Sequence, residues 1–84
     1  MADITTYYVA LPFLQDDTGT LVPGAAEECQ SPGTALRRAE MLSRGAGNTG
    51  AVAFSRSGDP MTGEFGDAKL LRGFGNVPKD LGTL

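Results

Sequence analysis

The pattern of apolar and polar positions changes from that of a strand to that of a helix within the first half of the chain. Residues 6–14 are apolar, aromatic or β-branched at both odd and even positions, which predicts a strand covered on both faces. Pro12 has no amide proton to donate to a neighbouring strand, so it predicts a sheet edge or a bulge at that point. Residues 16–19 form a turn sequence, and residues 20–29, interrupted by a Pro-Gly pair, are expected to return as the hairpin partner.

A helix is predicted to begin after Ser31 and to end near Arg44. The Ser31 hydroxyl is a suitable N-cap acceptor, and Pro32 is tolerated at the first helical position, where no amide donor is needed. Glu40 and Arg44 are spaced as an i,i+4 ion pair, and Gly45 suits the position after the helix. The apolar stripe of this helix consists of Ala35, Leu36, Ala39 and Leu42.

Three further segments follow the helix. Residues 51–55 are predicted to form a strand. Residues 56–67 are rich in Gly, Asp and Pro and are interpreted as one long loop or a loose hairpin. Residues 69–74 are predicted to form a last strand, and residues 78–81 are long enough for a single turn.

These elements predict one α+β domain over residues 1–84, with frayed ends at 1–4 and 79–84. The order strand, strand, helix, strand, strand gives a mainly antiparallel sheet of three to four strands with the helix packed on one face. One helix covers one face, whereas the first strand is apolar on both. The other face is therefore expected either to contact a partner, most simply a second copy of the chain, or to be covered by the long loop and the tail.

Composition excludes several broad classes of protein. The 84 residues are 40% hydrophobic and 20% charged, which predicts a folded, soluble domain. No stretch approaches the ~20 apolar residues of a membrane helix, and the N-terminal residues lack the basic and apolar regions of a signal peptide. Cys29 is the only cysteine, so no intramolecular disulfide can form. The expected location is the cytoplasm.

The net charge of −3 is unevenly distributed along the chain. Residues 1–36 contain five Asp or Glu and no Lys or Arg, whereas residues 37–72 contain six Lys or Arg and four Asp or Glu. The first segment therefore carries −5 and the second +2. Arg37, Arg38 and Arg44 leave nucleic-acid binding through the helix as an alternative, but the acidic balance of the whole chain opposes it.

The sequence contains no recognisable catalytic or metal-binding constellation. It has no histidine, which is the usual general base near neutral pH and the commonest metal ligand. Residues 45–50 match Gly-x-Gly-x-x-Gly, but they end a helix and open a strand, so no helix N-terminus faces the loop to hold a phosphate. Asp59, Glu64 and Asp67 lack the spacing of an EF-hand loop. We therefore expect no enzyme activity, no cofactor and no metal.

Three segments carry a resemblance to other proteins. They are Ala51-Val52-Ala53-Phe54-Ser55-Arg56-Ser57-Gly58-Asp59-Pro60, Thr62-Gly63-Glu64-Phe65-Gly66-Asp67 and Gly73-Phe74-Gly75-Asn76-Val77-Pro78. In these segments, which cover about half of the chain, the sequence resembles a group of short, uncharacterised bacterial proteins. The resemblance implies a small stand-alone bacterial protein and carries no activity, ligand or catalytic residue.

The leading hypothesis is a non-enzymatic accessory domain that acts through self-association, as a homodimer, or through a protein partner. A nucleic-acid-binding accessory domain and a small-ligand site in the loop of residues 56–67 are the alternatives. The mixed charges and glycines of that loop suit it to hold a bound group, and Arg72 is expected to approach it if the last strand pairs with the third. The candidate interaction surface consists of Tyr8, Leu14, Arg37, Arg38, Arg44, Arg56, Asp59, Glu64 and Arg72.

Overall fold

One α-helix lies against one face of an antiparallel sheet in the computed structural model, which describes residues 4–78. In this part of the chain the sheet has six strands. The elements are β1 (Thr5–Gln15), β2 (Leu21–Pro23), β3 (Glu27–Cys29), α1 (Pro32–Ser43), β4 (Asn48–Asp59), β5 (Glu64–Phe65) and β6 (Lys69–Gly75). The predicted fraying of both chain ends, apart from residue 4, and the predicted turn at 78–81, apart from residue 78, lie outside the described residues.

β1 and β4 form the centre of the sheet. They pair antiparallel from Thr5↔Gly58 to Leu14↔Asn48. β2 and β3 both pair with the outer side of β1, and β5 and β6 both pair with the outer side of β4. The predicted α+β class, with one helix and an antiparallel sheet, is therefore confirmed. The predicted count of three to four strands is wrong for the described residues, because each outer strand is interrupted and forms two.

Pro12 accounts for the interruption of the first outer strand. Its carbonyl accepts a hydrogen bond from the Gly24 amide at 2.8 Å. In a β-strand the nitrogen and the carbonyl oxygen of one residue point to the same side. The Pro12 nitrogen, which carries no proton to donate, therefore faces the gap between β2 and β3. The predicted edge position is wrong because β1 is central. A bulge is present nearby, between Phe13 and Leu14.

Neighbouring side chains cap the helix ends. The Thr34 amide donates to the Ser31 hydroxyl oxygen at 3.1 Å, and Pro32 is the first helical residue, as predicted. At the other end the Asn48 side-chain amide donates to a backbone carbonyl of the last turn at 2.8 Å. Gly47, with a φ of +84°, makes the tight turn into β4. The Gly-x-Gly-x-x-Gly segment thus ends a helix, as its position predicts.

One carboxylate organises the turn between β1 and β2. Asp16 accepts hydrogen bonds from the Thr18 hydroxyl at 2.7 Å and from the Thr18 and Thr20 amides, each at 2.9 Å. The Thr18 hydroxyl, followed by the Thr20 amide, lowers the pKa of Asp16 below its ordinary value of 3.8, because both donors favour the charged form. Gly19 has a φ of +85°, so the predicted turn is confirmed.

The core on the helix side of the sheet is built from alanines. The buried residues are Ala10, Ala35, Ala39, Ala51 and Ala53, and Tyr8, Cys29, Leu36, Leu42 and Phe74 pack around them. The predicted apolar stripe of the helix is therefore confirmed. Because alanine ends at Cβ, the helix lies close to the sheet, but each residue buries little apolar area.

The larger core side chains lie on the face that no helix of residues 4–78 covers, which we call the helix-free side. These buried residues are Leu11, Phe13, Val52 and Phe54. Phe13 is only 2% exposed and Val52 1%, because the sheet curls and because Ala68 and Val77 pack against the cluster. The centre of this face is therefore covered by the chain itself, through residues that follow β5 and β6.

β4 is longer than predicted and continues into a tight hairpin. It extends to Asp59, so the predicted strand of residues 51–55 covers less than half of it. The Asp59 carboxylate accepts a hydrogen bond from the Met61 amide at 2.8 Å, and Gly63 closes the turn with a φ of +74°. Of the two predicted alternatives for residues 56–67, the hairpin is the one found.

Gly50 lies where the segment after β6 approaches β4. A Cβ atom at this position would lie 2.7 Å from the carbonyl oxygen and 2.8 Å from the amide nitrogen of Asn76. The Asn76 amide itself donates to the Thr49 carbonyl at 2.9 Å. Only glycine fits here, so the last glycine of the Gly-x-Gly-x-x-Gly segment has a packing role.

Candidate functional site

The sheet is longer than the helix that covers it. β4 has 12 residues and spans about 40 Å, whereas the 12 residues of α1 span about 18 Å. The helix packs on Ala51 and Ala53, in the first half of β4. The second half of β4 therefore extends beyond the helix, together with the start of β1 and with β5. We call residues 5–7, 55–59 and 64–65 the sheet extension.

On the helix-free side, the sheet extension and the adjoining part of β6 carry exposed apolar side chains. Phe65 is 40% exposed, and its ring centroid lies 5.7 Å from that of Tyr7. Leu70 is 55% exposed and lies opposite the buried Phe54 in the pairing of β4 with β6. Apolar surface thus continues from the buried core to the exterior. We call Tyr7, Phe65 and Leu70 the apolar strip.

Other exposed apolar residues lie at the same end of the molecule. Ile4 directly precedes β1, Met61 lies in the hairpin turn and Leu71 lies in β6. Among the exposed large hydrophobic residues of the described chain, Met41 on α1 is the exception. Apolar surface gathered in one region of a small domain is typical of a contact site.

On the helix side, the sheet extension forms the floor of a small polar cleft. The cleft has a volume of about 340 Å³ and is lined by Ser55, Ser57, Gly66, Asp67 and Lys69. Alternate residues of β4 face the helix side, and these are Ala51, Ala53, Ser55 and Ser57 in order. The two serines lie beyond the part of the strand that the helix covers. We call these five lining residues the polar cleft.

Hydrogen bonds hold the floor of the polar cleft in place. The Ser57 and Thr6 hydroxyl oxygens lie 2.8 Å apart, across the pairing of β1 with β4. The Gly66 amide donates to the Ser57 carbonyl at 2.9 Å. Ser55 lies opposite Lys69 in the pairing of β4 with β6. The hydroxyl groups and Lys69 are therefore presented by paired strands, while Asp67 lies in the connection between β5 and β6.

The helix arginines of the predicted interaction surface are partly neutralised. Arg38 Nε lies 3.0 Å from the Glu27 carboxylate of β3. Arg44 lies 2.8 Å from the Glu40 carboxylate, which confirms the predicted i,i+4 pair. Arg37 is exposed. Two of the three positive charges thus face carboxylates, which weakens the case for phosphate binding by this helix.

Tyr8 and Leu14 do not lie on the face without a helix. Tyr8 packs around the alanine core on the helix side. Leu14 lies beside Gly24, where a Cβ atom would be 2.9 Å from Leu14 Cδ1. Both residues are half-buried. Their place in the interaction surface stays a prediction, and the exposed apolar side chains of the helix-free side come from the apolar strip instead.

Arg56 and Arg72 lie on opposite faces of the sheet. Arg56 is half-buried and follows Phe54 in the alternation of β4, on the helix-free side. Arg72 lies opposite Ala53, and its guanidinium carbon is 5.2 Å from the Phe74 ring centroid. β6 does pair with β4, as the prediction for Arg72 requires, but Arg72 lies on the other face of the sheet from Arg56.

The two acidic residues of the predicted surface lie at the base of the hairpin. Asp59 and Glu64 are paired across β4 and β5. Asp59 is 8% exposed, and its carboxylate is engaged by the turn, which gives it a structural role. Glu64 is exposed. Neither residue lines the polar cleft.

The sequence does contain a signal for the polar cleft. Positions 51, 53, 55 and 57 lie on one face of β4 and change from alanine to serine, which marks the point where the helix stops covering the strand. The contributions of Asp67 and Lys69 have no such signal, because the path of the β5–β6 connection and the register of β6 depend on strand pairing.

No protein-family model, curated protein or solved structure matches this chain. The resemblance to short bacterial proteins therefore stays a prediction. Within residues 4–78, no helix has the length and apolar character needed to cross a membrane. In the same residues no group of three or more His, Cys, Asp or Glu side chains is placed to hold a metal ion.

Proposed function

We propose that this chain is a non-enzymatic cytoplasmic interaction domain that associates with a second copy of itself through the apolar strip. The observation that supports the proposal most is the continuity of the strip with the core. Buried Phe54 is followed across the sheet by Leu70, which is 55% exposed, and the 40% exposed Phe65 ring lies beside Tyr7 on the same face.

The size of the core favours a second copy as the partner. Five of the nine buried hydrophobic residues among residues 4–78 are alanines, so the layer between helix and sheet buries little apolar area. A domain of this size buries only about 60% of the surface of its unfolded chain. A symmetric contact buries each strip residue twice, once in each copy. A second copy on the helix-free side would also cover Leu70 and Phe65, which are exposed on this face.

The substitution Leu70→Gln tests this contact. Complete burial of a leucine contributes about 1.5–3 kcal/mol, so burying the exposed part of Leu70 contributes about 1 kcal/mol per copy. A symmetric dimer would therefore lose about 2 kcal/mol, which raises its dissociation constant about 30-fold. The measurement is sedimentation velocity or light scattering over a dilution series at low and moderate salt. We expect a dimer that resists salt in the unaltered chain.

Met41→Gln is the matched control, because Met41 is 63% exposed but lies on the helix. This variant should dimerise like the unaltered chain. The thermal unfolding of both variants shows whether the monomer is still folded. A chain that stays monomeric at every concentration and salt refutes self-association, and equal weakening by both substitutions would place the contact elsewhere.

A further inference from the structure

The geometry points to a second site on the opposite side of the sheet extension. We propose that the polar cleft binds a small zwitterion, a molecule that carries one carboxylate and one ammonium group, as free amino acids do. The proposal does not rest on the dimer, because the apolar strip lies on the other face of the sheet.

Opposite charges line the same cavity. Asp67 and Lys69 both line the polar cleft and are exposed. The ion pairs found among residues 4–78 join Arg38 to Glu27 and Arg44 to Glu40, so the cleft charges do not pair with each other. A ligand with a single charge would meet one attractive and one repulsive group. A zwitterion meets an attractive group at each end.

The floor of the cleft adds neutral hydrogen-bonding groups. Ser55 and Ser57 supply hydroxyls that both donate and accept. The Ser57 hydroxyl is oriented by its contact with Thr6 at 2.8 Å. Among residues 4–78, the lining contains no large apolar side chain.

The volume limits the size of the ligand. The cleft measures about 340 Å³, which lies near the lower end of the range of about 300–1,000 Å³ for small-molecule sites. A molecule of amino-acid size fits this volume. A dinucleotide or an extended peptide would reach far beyond the lining residues.

The first test is an NMR titration of the full-length ¹⁵N-labelled chain with each proteinogenic amino acid, among them L-alanine. Propionate and ethylamine serve as matched probes, because they resemble alanine without its ammonium or its carboxylate group. We expect at least one amino acid to produce saturable shifts of the Ser55, Ser57 and Gly66 amide signals. Probes with a single charge should bind at least about tenfold more weakly, because one charge-assisted hydrogen bond is lost.

Charge-removing variants complete the test. Lys69→Gln and Asp67→Asn should each weaken binding about tenfold or more. Arg37→Gln and Asp17→Asn make the same changes of charge at exposed positions outside the cleft and should leave the affinity unchanged. Absence of saturable shifts for every amino acid overturns the proposal. Propionate binding as tightly as the amino acid, or equal loss of affinity in the cleft and control variants, also overturns it. None of these outcomes changes the molecular mass expected for the dimer, so the two proposals fail separately.

Discussion

The substitution Phe13→Ala tests whether the face without a helix is a true core. Phe13 is 2% exposed and packs in the cluster of Leu11, Val52 and Phe54. Phe65 lies on the same side of the sheet but is 40% exposed. Phe65→Ala therefore makes the same chemical change at a site where fewer contacts are lost, and the two variants form a matched pair.

The free energies of unfolding of the two variants should differ by about 1–4 kcal/mol. Replacing a buried phenylalanine by alanine costs about 3–5 kcal/mol, because transfer free energy is lost and a cavity is left. Phe65→Ala should cost about 1–2 kcal/mol, since part of its ring already contacts water. Domains are stable by only about 5–15 kcal/mol, so Phe13→Ala removes a large fraction of the total.

Urea unfolding followed by circular dichroism measures this difference. The protein is kept dilute, because self-association would add to the apparent stability. With a slope of about 1 kcal/mol per molar urea, Phe13→Ala should lower the midpoint by about 3 M or more. If that variant does not fold, Phe13→Leu, with an expected cost of about 1–2 kcal/mol, gives the measurement. A cost for Phe13→Ala no greater than that for Phe65→Ala would refute the assignment of this face as core.

The remaining predictions concern backbone positions and turns. Gly50→Ala should lower the free energy of unfolding by about 1–3 kcal/mol, because its Cβ would meet backbone atoms. Gly33→Ala, which has no atom within 4 Å of its Cβ, should instead leave stability unchanged or raise it by up to about 1 kcal/mol, and equal losses in urea would contradict this account. Ser31→Ala should cost about 1 kcal/mol through loss of the N-cap, visible as a lower Tm. The lowered pKa of Asp16 means that its charged form contributes stability above the ordinary value of 3.8 and loses it as pH falls through the lower folded value. The stability difference between the unaltered chain and Asp16→Asn should therefore shrink on acidification, and an increase, or the same trend for Asp17→Asn, would contradict the assignment.

The features predicted correctly are those set by residues close in sequence. The Ser31 cap, the Glu40–Arg44 pair and the turn of residues 16–19 all appear as predicted. Each depends on hydrogen bonds or charges separated by four residues or fewer. Such interactions are decided by the local sequence, whatever the rest of the chain does.

The errors concern strand pairing. Pro12 was compatible with an edge strand, yet it lies in a central strand beside a gap in its partner. The length of β4 was underestimated because residues 56–59 have the composition of a loop. Their extended conformation comes from pairing with the start of β1, about 50 residues earlier in the chain. Local propensity does not contain that information.

The candidate sites show the same division. Arg72 and Arg56 were expected to converge, but sheet geometry places them on opposite faces. The polar cleft brings Ser57 of β4 together with Asp67 of the β5–β6 connection and Lys69 at the start of β6. A set of this kind is visible only when the register of the strands is known, because a shift of one residue moves a side chain to the other face.

The sequence by itself therefore determined the class of fold, the helix with its alanine stripe, and the turns, through periodicity and short-range hydrogen bonds. The tertiary structure alone decided which face of the sheet holds the large core side chains and how far the sheet extends past the helix. It also decided which exposed residues gather into the apolar strip and the polar cleft. These properties depend on the register of the strands and on the curl of the sheet. Both are set by contacts between segments distant in sequence, namely the pairing of β1 with β4 and the packing around Phe13 and Val52.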